Sequence, residues 1–437
     1  MNYTNYSNNG NSNNGNGHGD VDKRKRSRVV ITGLGVVSPV GIGRAEFWNN
    51  VINPTSPVDY ISSFDVEDLP TKIGAELTNF DPLLYLSEND ARRFDETAQF
   101  AFVASKLALE DANVDLDTIN RERVGVIIGS SHGPIKAMER EIHVVGKSGM
   151  HGVSPFAMAN ASTNIAPGLI ALKLGLKGPN YSMVSACASG THSIGSAYDT
   201  VALNRADFML AGGTESCITR FIFSGYCFIS AMSRRNSEPK KACRPFDASR
   251  DGFVMSEGSG IVLLEELNHA LARGAHIYAE VIGYGAANDA VHVTNLSRRG
   301  IGVRKAMELA IEDASIGLDD IDYINSHGSS TVLADKCEAA AIKDLFKHRT
   351  KDLLINSTKS ITGHMMGASG GVEAVVCALS LQEGMVHPTL NYDTFDPVCD
   401  LEGVTNQVVK KDIHYALSNS IGFGGANTSL VFKRYEA

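Results

Sequence analysis

The feature that most constrains the fold of this chain is an internal repeat. The segment ALEDANVDLDTI at 108–119 is followed by an apolar run and then by GSSHG at 129–133. About two hundred residues later, AIEDASIGLDDI at 310–321 is followed by another apolar run and by NSHGSS at 325–330. The same helix–turn–strand–loop unit recurring in the same order indicates a duplication. The repeat therefore predicts two similar halves packed as one body.

Helical and strand-like patterns alternate along the rest of the chain. Helical periodicity runs through 96–112 and 302–314, and the short apolar runs at 123–131 and 322–328 end in Gly/Ser turns. This alternation is typical of an α/β body with a largely buried sheet. Ligands of such bodies gather beyond the carboxyl ends of the strands. Reactive side chains that follow strands should therefore come together where the two halves meet.

Composition sets the N-terminal segment apart and excludes several functions. Residues 1–27 are rich in Asn and Gly and have little to bury, which predicts a disordered tail. The net charge of −9 argues against a nucleic-acid-binding protein. No apolar run approaches the roughly 18–20 residues that span a bilayer, and the N-terminus has no apolar core of a signal peptide. We therefore expect a cytoplasmic protein that binds neither nucleic acid nor membrane.

One cationic cluster precedes the first strand, and we interpret it as a solvated tail next to the domain start. The cluster consists of Lys23, Arg24, Lys25, Arg26 and Arg28. The seven cysteines, an odd number, show no C-x-x-C spacing, which argues against a disulfide framework and a structural zinc site. No metal site is predicted.

The first candidate for chemistry is Cys187, in the run NYSMVSACASGTHSIGSAYDTVAL. An apolar run breaks just before the cysteine, and the small residues after it predict a closely packed buried helix. The positive end of a helix dipole lowers the pKa of a thiol at the N-terminus. Backbone N–H groups at the same place can stabilise an oxyanion. Taken alone, however, the pattern favours an inert buried cysteine.

Three further segments place candidate side chains after strands. His327 lies in YINSHGSST, where a lone histidine is equally consistent with a structural and a functional role. Lys359 and His364 lie five residues apart in INSTKSITGHMMGASGGVEAVVCALSL, and Glu373 in the same segment is a candidate buried partner for the lysine. Phe423 lies in SNSIGFGGANTSL, a loop whose glycines permit close backbone approach.

In order and spacing, these four segments resemble the β-ketoacyl-acyl-carrier-protein synthases of the elongating, decarboxylating type, within the thiolase superfamily. The resemblance runs from about residue 28 to 437 and includes the linking segment 244–285. It implies an α/β thiolase-like fold in which two duplicated halves pack as a layered α-β-α-β-α body. The N-terminal half, 28–280, would carry the nucleophile, and the C-terminal half, 281–437, would carry the two histidines.

The resemblance also implies a mechanism. The family's acyl-accepting cysteine corresponds to Cys187, and its two histidines, which assist decarboxylation of malonyl-carrier and stabilise the enolate, correspond to His327 and His364. Lys359 is expected to order the site electrostatically. Phe423 matches the gating aromatic, and its backbone N–H and that of Cys187 match the oxyanion hole. The reaction is a decarboxylative Claisen condensation in fatty-acid or polyketide biosynthesis, with no cofactor bound by the enzyme itself.

The substrates of this family travel on the 4′-phosphopantetheine arm of an acyl carrier protein. The family's pantetheine-contacting hydroxyls correspond to Ser329 and Thr331, with Thr294 as a third candidate. Ser329 replaces a more usual threonine and keeps the hydroxyl. Carrier proteins are acidic, and Arg92 and Arg93 lie where the family has basic residues that receive them.

Two departures from the family pattern bear on the acyl group. By the resemblance, His132 corresponds to a position at the base of the acyl pocket, where the fatty-acid enzymes tend to have an aliphatic residue. A histidine there predicts a shorter or more polar pocket. Ile421 lies beside the gate, where an aromatic side chain is common. These departures affect the choice of substrate and leave the reaction unchanged.

Several alternatives follow from the same residues. A thiolase that does not decarboxylate has a second cysteine in its C-terminal loop, where this chain has Phe423. Initiating synthases have Asn in place of the second histidine, here His364. A chain-length factor of a type II polyketide synthase lacks the nucleophile, so Cys187 argues against that role. The catalytic subunit that pairs with such a factor stays open beside a fatty-acid enzyme, as does homodimer against heterodimer.

Overall fold

The computed structural model of the 437-residue chain describes residues 26–436. The predicted tail therefore lies outside the described residues as far as residue 25, as do three members of the cationic cluster. Of the last two predicted tail residues, Ser27 donates its N–H to the carbonyl of Ala202 at 3.0 Å and Arg26 pairs with Asp313 at 3.1 Å. Both described residues of the predicted tail therefore contact the folded body.

The described residues form thirteen α-helices. They are α1 Arg44–Ile52, α2 Glu88–Arg93, α3 Glu96–Asp111, α4 Ile135–Ser148, α5 Ala157–Asn160, α6 Ile165–Leu174, α7 Ser189–Ala202, α8 Arg220–Phe228, α9 Leu267–Ala272, α10 Ile301–Ala314, α11 Val332–Phe346, α12 Lys359–Thr362 and α13 Ser369–Glu383. The helices expected from periodicity at 96–112 and 302–314 are α3 and α10. None of the described helices is long and apolar enough to cross a membrane.

The same part of the chain contains fifteen strands. They are β1 Val29–Ser38, β2 Gly41–Ile42, β3 Asp59–Tyr60, β4 Ile73–Gly74, β5 Val124–Gly129, β6 Asn180–Met183, β7 Phe208–Glu215, β8 Gly258–Glu266, β9 Ala279–Asn288, β10 Tyr323–Asn325, β11 Leu354–Asn356, β12 Met385–Val386, β13 Val409–Lys410, β14 Tyr415–Gly422 and β15 Ala426–Arg434.

Strand order confirms the duplication. The first half has the order β6-β5-β7-β8-β1 and the second half β11-β10-β14-β15-β9. When the five strands of each half are numbered by their order in the sequence, both halves have the spatial order third, second, fourth, fifth, first. In both halves the fifth strand runs antiparallel to its two neighbours. The two halves therefore share one topology, as the sequence repeat predicts.

The layers follow from where the helices pack. Helices α3 and α6 cover the outer face of the first sheet, and α10 and α11 cover that of the second. Helices α7 and α13 lie between the sheets, since α7 contacts β7 and β15 while α13 contacts β8 and β14. This is the expected α-β-α-β-α arrangement. Strands β1 and β9 also pair at their starts, joining the halves edge to edge, and the predicted boundary between residues 280 and 281 falls inside β9.

The central layer depends on small residues. A Cβ atom at Gly370 would lie 2.0 Å from Thr191 Oγ1 on α7, and one at Gly371 would lie 2.0 Å from the carbonyl oxygen of Gly260 on β8. Every residue of α13 from Ser369 to Leu381 is buried. The N-terminal ends of α7 and α13, which carry the site described below, can therefore approach each other only because glycine stands at the contacts.

We expect Gly371→Ala to lower the free energy of unfolding by about 1–3 kcal/mol, since the new methyl group overlaps the β8 backbone. Gly168→Ala is the matched control, because a Cβ there meets nothing within 4 Å in the middle of α6. Removing a helical glycine without a clash should stabilise the protein by about 0.5–1 kcal/mol. Urea unfolding of both variants measures the difference, and equal effects would contradict the close approach.

Candidate functional site

A cavity of about 330 Å³ opens where strands of both halves end. Eight of the twelve side chains singled out in the sequence line it: Cys187, Thr294, His327, Ser329, Thr331, His364, Ile421 and Phe423. The other four, His132, Lys359, Arg92 and Arg93, are not among its lining residues. The structure thus brings together the predicted nucleophile, both histidines and the predicted hydroxyls, and it places the remaining residues behind or away from them.

Cys187 lies in a tight turn between β6 and α7. The preceding residue, Ala186, has φ of 52°, a left-handed conformation that costs energy for a residue with a side chain. Ser189 holds the turn, since its hydroxyl accepts from the N–H of Ser185 at 2.9 Å and donates to the carbonyl of Ala186 at 2.6 Å. A Cβ at Gly422 would lie 2.4 Å from the carbonyl oxygen of Ser185. The end of β14 therefore packs directly on the turn that presents the thiol.

The acidity of the Cys187 thiol differs from the expectation that the helix dipole lowers its pKa. Burial raises the pKa to about 12, and the nearby Lys359 ammonium offsets only part of this effect. The prediction of a lowered pKa was wrong because the thiol is enclosed, so the loss of hydration outweighs favourable charges. In the free protein at neutral pH the sulfur is therefore protonated, and its proton leaves when the sulfur attacks.

The two histidine rings pack edge to face at the cavity wall. Their centroids lie 5.4 Å apart at an interplanar angle of 84°. Nδ1 of His364 accepts the N–H of Met366 at 3.2 Å and lies 3.1 Å from the hydroxyl of Ser369. An Nδ1 that accepts a backbone N–H carries no proton, so neutral His364 holds its proton on Nε2. That N–H is a hydrogen-bond donor for an oxygen bound beside Cys187.

His327 is positioned through its backbone rather than its ring. The N–H groups of His327 and Gly328 both donate to the carboxylate of Glu338, each at 2.8 Å. Asn419 on β14 donates to the same carboxylate at 3.2 Å, which ties the histidine loop to the neighbouring strand. The ring atom Nδ1 of His327 is buried and has no hydrogen-bond partner among the described residues. The observed hydrogen bonds therefore fix the backbone of His327, and none of them engages Nδ1 of its ring.

Electrostatics keep both rings neutral. Burial lowers the pKa of His327 and His364 well below the usual value, and the Lys359 ammonium lowers both further. Lys359 is fully buried, and its Nζ lies 2.5 Å from Oε1 of Glu373. The partner suggested by the sequence is thus the one the structure shows. Because Lys359 is engaged with Glu373 and does not line the cavity, it acts on the site through its charge.

Asp335 holds the loop that carries the predicted pantetheine-binding hydroxyls. The hydroxyls of Ser329 and Thr331 lie 3.0 Å apart, and the residue between them, Ser330, has φ of 69°. Asp335 accepts the N–H of Ser330 at 3.1 Å. Burial raises the pKa of Asp335 to about 7, although the charge of Arg250 opposes this. The carboxyl group fixes a loop conformation that the chain would otherwise avoid.

His132 lies behind the cavity, where it contacts Glu215 and Tyr226. Its Nδ1 is 3.5 Å from Oε1 of Glu215, and its Nε2 is 3.4 Å from the hydroxyl of Tyr226, which does line the cavity. Together with Cys217 these residues bring His, Glu and Cys ligand atoms within 4.8 Å of one another. The oxygens of Glu215 already accept four donors, namely the N–H groups of Ser131, His132 and Gly367 and the hydroxyl of Ser130. Hydrogen-bond donors therefore already occupy the carboxylate of this cluster.

The two predicted carrier-binding arginines lie on α2. Arg92 is exposed and pairs with Glu88 at 3.5 Å, whereas the guanidinium of Arg93 lies 4.8 Å from the ring centre of Phe156. Both arginines are exposed, so both are open to a partner.

Sequence reasoning missed the acidic residues that support the site. Glu215 and Glu338 are fully buried, one at the end of the apolar strand FMLAGGTE and the other amid the small residues CEAAA of α11. Glutamate is almost never fully buried unless it is paired or hydrogen-bonded. A glutamate inside an apolar run therefore indicates, from the sequence alone, a buried carboxylate that accepts hydrogen bonds. Tyr226 was also missed, since nothing in GYCF marks it.

Comparison with known proteins gives consistent results. The family profile described as beta-ketoacyl synthase, N-terminal domain, matches residues 26–270, and the profile for the C-terminal domain matches 278–393. The 3-oxoacyl-[acyl-carrier-protein] synthase 2 of Staphylococcus aureus (strain COL) is 43% identical over 410 residues, which is 94% of this chain and 99% of that protein. The protein of the same name from Coxiella burnetii is 44% identical over 407 residues, or 93% and 98%.

Solved structures agree with this result. The ishigamide ketosynthase/chain length factor superposes with a TM-score of 0.88 at 30% identity, covering 94% of this chain and 100% of that chain. A type II PKS acyl-carrier protein in complex with its ketosynthase bound to the hexaketide gives a TM-score of 0.88 at 34% identity, with the same coverage.

Removing the Lys359 charge should raise the pKa of both histidines. We expect this in the double variant Lys359→Met, Glu373→Gln, which leaves no buried unpaired charge, and NMR titration of labelled imidazoles measures it. Lys359→Met alone should cost about 3–5 kcal/mol of stability because it leaves the buried carboxylate of Glu373 without its partner. Unchanged histidine pKa values in the double variant would show that the lysine field does not act on them.

The lowered pKa values of the two histidines also determine how the stability of the protein changes in acid. His327 and His364 have a lower pKa in the folded than in the unfolded chain, so the unfolded chain binds more protons below about pH 6.5. The free energy of unfolding should therefore fall as the pH drops from 7 to 5. The decline should be shallower in the double variant.

Proposed function

Because this chain belongs to the β-ketoacyl synthase family, we propose that it is a β-ketoacyl-acyl-carrier-protein synthase. It joins an acyl group held on Cys187 to a two-carbon unit from malonyl-carrier. The observation that carries the proposal is the convergence of Cys187, His327 and His364 on one cavity, with both imidazoles neutral. Carbon–carbon bond formation needs an activated acyl group and a masked carbanion, and this arrangement suits both.

The first half-reaction loads the enzyme. The sulfur of Cys187 attacks the thioester carbonyl of an acyl-pantetheine, and the tetrahedral intermediate collapses as the pantetheine sulfur leaves. Overall, the proton of the Cys187 thiol passes to the released pantetheine thiol. In this proposal the backbone N–H groups of Cys187 and Phe423 stabilise the oxyanion, and both residues line the cavity. Phe423, half-exposed at the cavity, is the gate.

The second half-reaction forms the new bond. Malonyl-pantetheine loses CO₂, and the electron pair of the broken carbon–carbon bond moves into an enolate. The N–H on Nε2 of His364 and the ring of His327 donate to the enolate oxygen, and a neutral ring can do this without surrendering a proton. The enolate carbon attacks the acyl carbonyl, and the Cys187 sulfur leaves as a thiolate that takes up one proton.

The substrates are carried on the 4′-phosphopantetheine of an acyl carrier protein, and the enzyme itself supplies only side chains. Thr294, Ser329 and Thr331 line the cavity and present hydroxyls to the arm. Arg92 and Arg93 receive the acidic carrier on the surface. The fatty-acid pathway has the support of the relatives at 43% and 44% identity. A catalytic polyketide subunit is the second candidate, supported by the ketosynthase/chain length factor superposition.

We also propose that the protein acts as a dimer, with a second copy or with a homologous chain-length factor. Strand β6 ends the sheet of the first half, and its edge is unpaired among the described residues. Tyr181 on β6 and Val184 just after it are 40% and 62% exposed. An exposed sheet edge with apolar side chains is a surface that another chain can extend.

Cys187→Ala should abolish acyl transfer and condensation, since no other group in the cavity can form the thioester. Iodoacetamide should modify Cys187 in the unsubstituted protein, and prior incubation with acyl-carrier should protect it. Cys377→Ala is the control, because Cys377 is buried in α13 away from the cavity lining. Intact-mass spectrometry checks both results. Condensation at the normal rate by Cys187→Ala would refute the proposed function.

Reversing the charge of Arg92 and Arg93 together should raise KM for malonyl-carrier by roughly tenfold at low salt and less at high salt. The KM for malonyl-pantetheine, which has no protein attached, should not change. Initial rates with the two substrates separate the cases. An equal rise for both would mean that the substitutions disturb the cavity rather than the docking of the carrier.

A further inference from the structure

The wall of the cavity includes a tyrosine that the reaction described above does not use. Tyr226 lines the cavity together with Cys187. Its ring stacks edge-on against Phe253, with centroids 5.3 Å apart, and lies 6.1 Å from the ring of Phe423. Phe253 in turn packs edge-on against His364 at 5.3 Å. These contacts hold the Tyr226 ring in place among the reactive side chains.

Behind Tyr226 stands His132, which has no direct access to the cavity lining. The Tyr226 hydroxyl lies 3.4 Å from Nε2 of His132, and the two rings meet edge-on with centroids 6.0 Å apart. A separation of 3.4 Å is long for a hydrogen bond. The hydroxyl therefore keeps bonding capacity for a second polar atom on the cavity side.

Glu215 holds the backbone of His132 and lies close to its ring. The backbone N–H of His132 donates to Oε1 of Glu215 at 3.1 Å, and the ring Nδ1 lies 3.5 Å from the same oxygen. Burial opposes ionisation of Glu215, but His132 and the backbone donors hold the pKa of this carboxyl below its usual value. At a distance of 3.5 Å Nδ1 makes no hydrogen bond, so Glu215 acts on the His132 ring through its charge. Nε2 is then left to meet the Tyr226 hydroxyl.

Either protonation state of Nε2 leaves the Tyr226 oxygen with bonding capacity toward the cavity. If Nε2 is bare, it accepts the Tyr226 proton, and the phenolic lone pairs face the cavity. If Nε2 is protonated, it donates to the phenolic oxygen, and the Tyr226 O–H points to the cavity. Burial lowers the pKa of His132, but the Glu215 carboxylate outweighs it and raises the pKa above the usual value. A carbonyl oxygen bound in the cavity can only accept, so it stabilises the second state, in which Tyr226 is a donor.

We propose that the Glu215–His132–Tyr226 chain selects the acyl group, so that Cys187 accepts chains bearing a carbonyl oxygen near the thioester in preference to saturated chains of the same length. Tyr226 is the residue that contacts the acyl chain, and His132 positions its hydroxyl. A saturated chain would bury this hydroxyl without a cavity-side partner, which is unfavourable. The inference rests on the proposed function and deepens it, because it names partly oxidised, polyketide-like acyl groups as the substrate class.

The test measures the rate at which the full-length protein acylates Cys187 from three synthetic pantetheine thioesters of equal chain length. These are hexanoyl-, 3-oxohexanoyl- and 5-oxohexanoyl-pantetheine, and intact-mass spectrometry follows the adduct. We expect the better of the two oxo thioesters to react about threefold to tenfold faster than the hexanoyl thioester, as one neutral hydrogen bond provides. In Tyr226→Phe the ratio should fall to about one.

The ratio within one variant does not depend on the fraction of active protein, so it separates selection from folding. Tyr278→Phe is the matched control, because it removes a tyrosine hydroxyl that bonds to Asp111 far from the cavity lining, and its ratio should equal that of the unsubstituted protein. His132→Asn should lower the ratio while Cys187 still reacts with the hexanoyl thioester. This result separates positioning of Tyr226 from a general structural role.

Two outcomes would overturn the proposal. One is a ratio near one in the unsubstituted protein, and the other is an unchanged ratio in Tyr226→Phe. In either case acylation of Cys187 by the hexanoyl thioester would leave the synthase function intact. If none of the three thioesters acylated Cys187 in the unsubstituted protein, the synthase function itself would fail, and the selection proposal with it.

Discussion

The close approach of two central helices is the constraint on which the rest of this structure depends. Helices α7 and α13 are enclosed by sheets on both sides, and Gly370 and Gly371 let backbone meet backbone there. The hydroxyl of Thr191 on α7 lies 2.7 Å from that of Ser420 on β14, so polar contacts also cross between the halves. Because the reactive turns precede these helices, the packing of the central layer sets the positions of Cys187 and His364.

A charge buried this deeply costs much free energy unless it is paired, and the site keeps its unpaired groups neutral. The one buried ammonium in the site, Lys359, is neutralised by Glu373, while its field and the loss of hydration keep His327 and His364 uncharged. The same loss of hydration raises the pKa of Cys187 to about 12. The resting site therefore holds a thiol and two neutral donors. This composition suits a reaction in which negative charge develops transiently, on the bound substrate and on the departing sulfur of Cys187.

Buried carboxylates hold the loops that the reaction needs. Glu338 accepts the backbone N–H of His327, and Asp335 accepts that of Ser330 in the strained turn. Glu215 accepts the N–H groups of Ser131 and Gly367 and so joins their two loops. Each accepts backbone N–H groups that a buried loop would otherwise leave unsatisfied. Glu215 also faces His132, and through it the network reaches Tyr226 at the cavity wall. The scaffold that fixes the loops is thus continuous with the surface that meets the acyl group.

The sequence by itself determined the duplication, the α/β class and the four segments that end at the site, because hydrophobic periodicity and turn residues are local properties. It also indicated the Lys359–Glu373 pair, since a buried lysine needs a partner. The tertiary structure alone decided the acidity of Cys187 and the position of His132 behind Tyr226. Both depend on enclosure by residues distant in the chain. A helix start suggests a lowered thiol pKa, but hydration is lost only when both halves close over the sulfur.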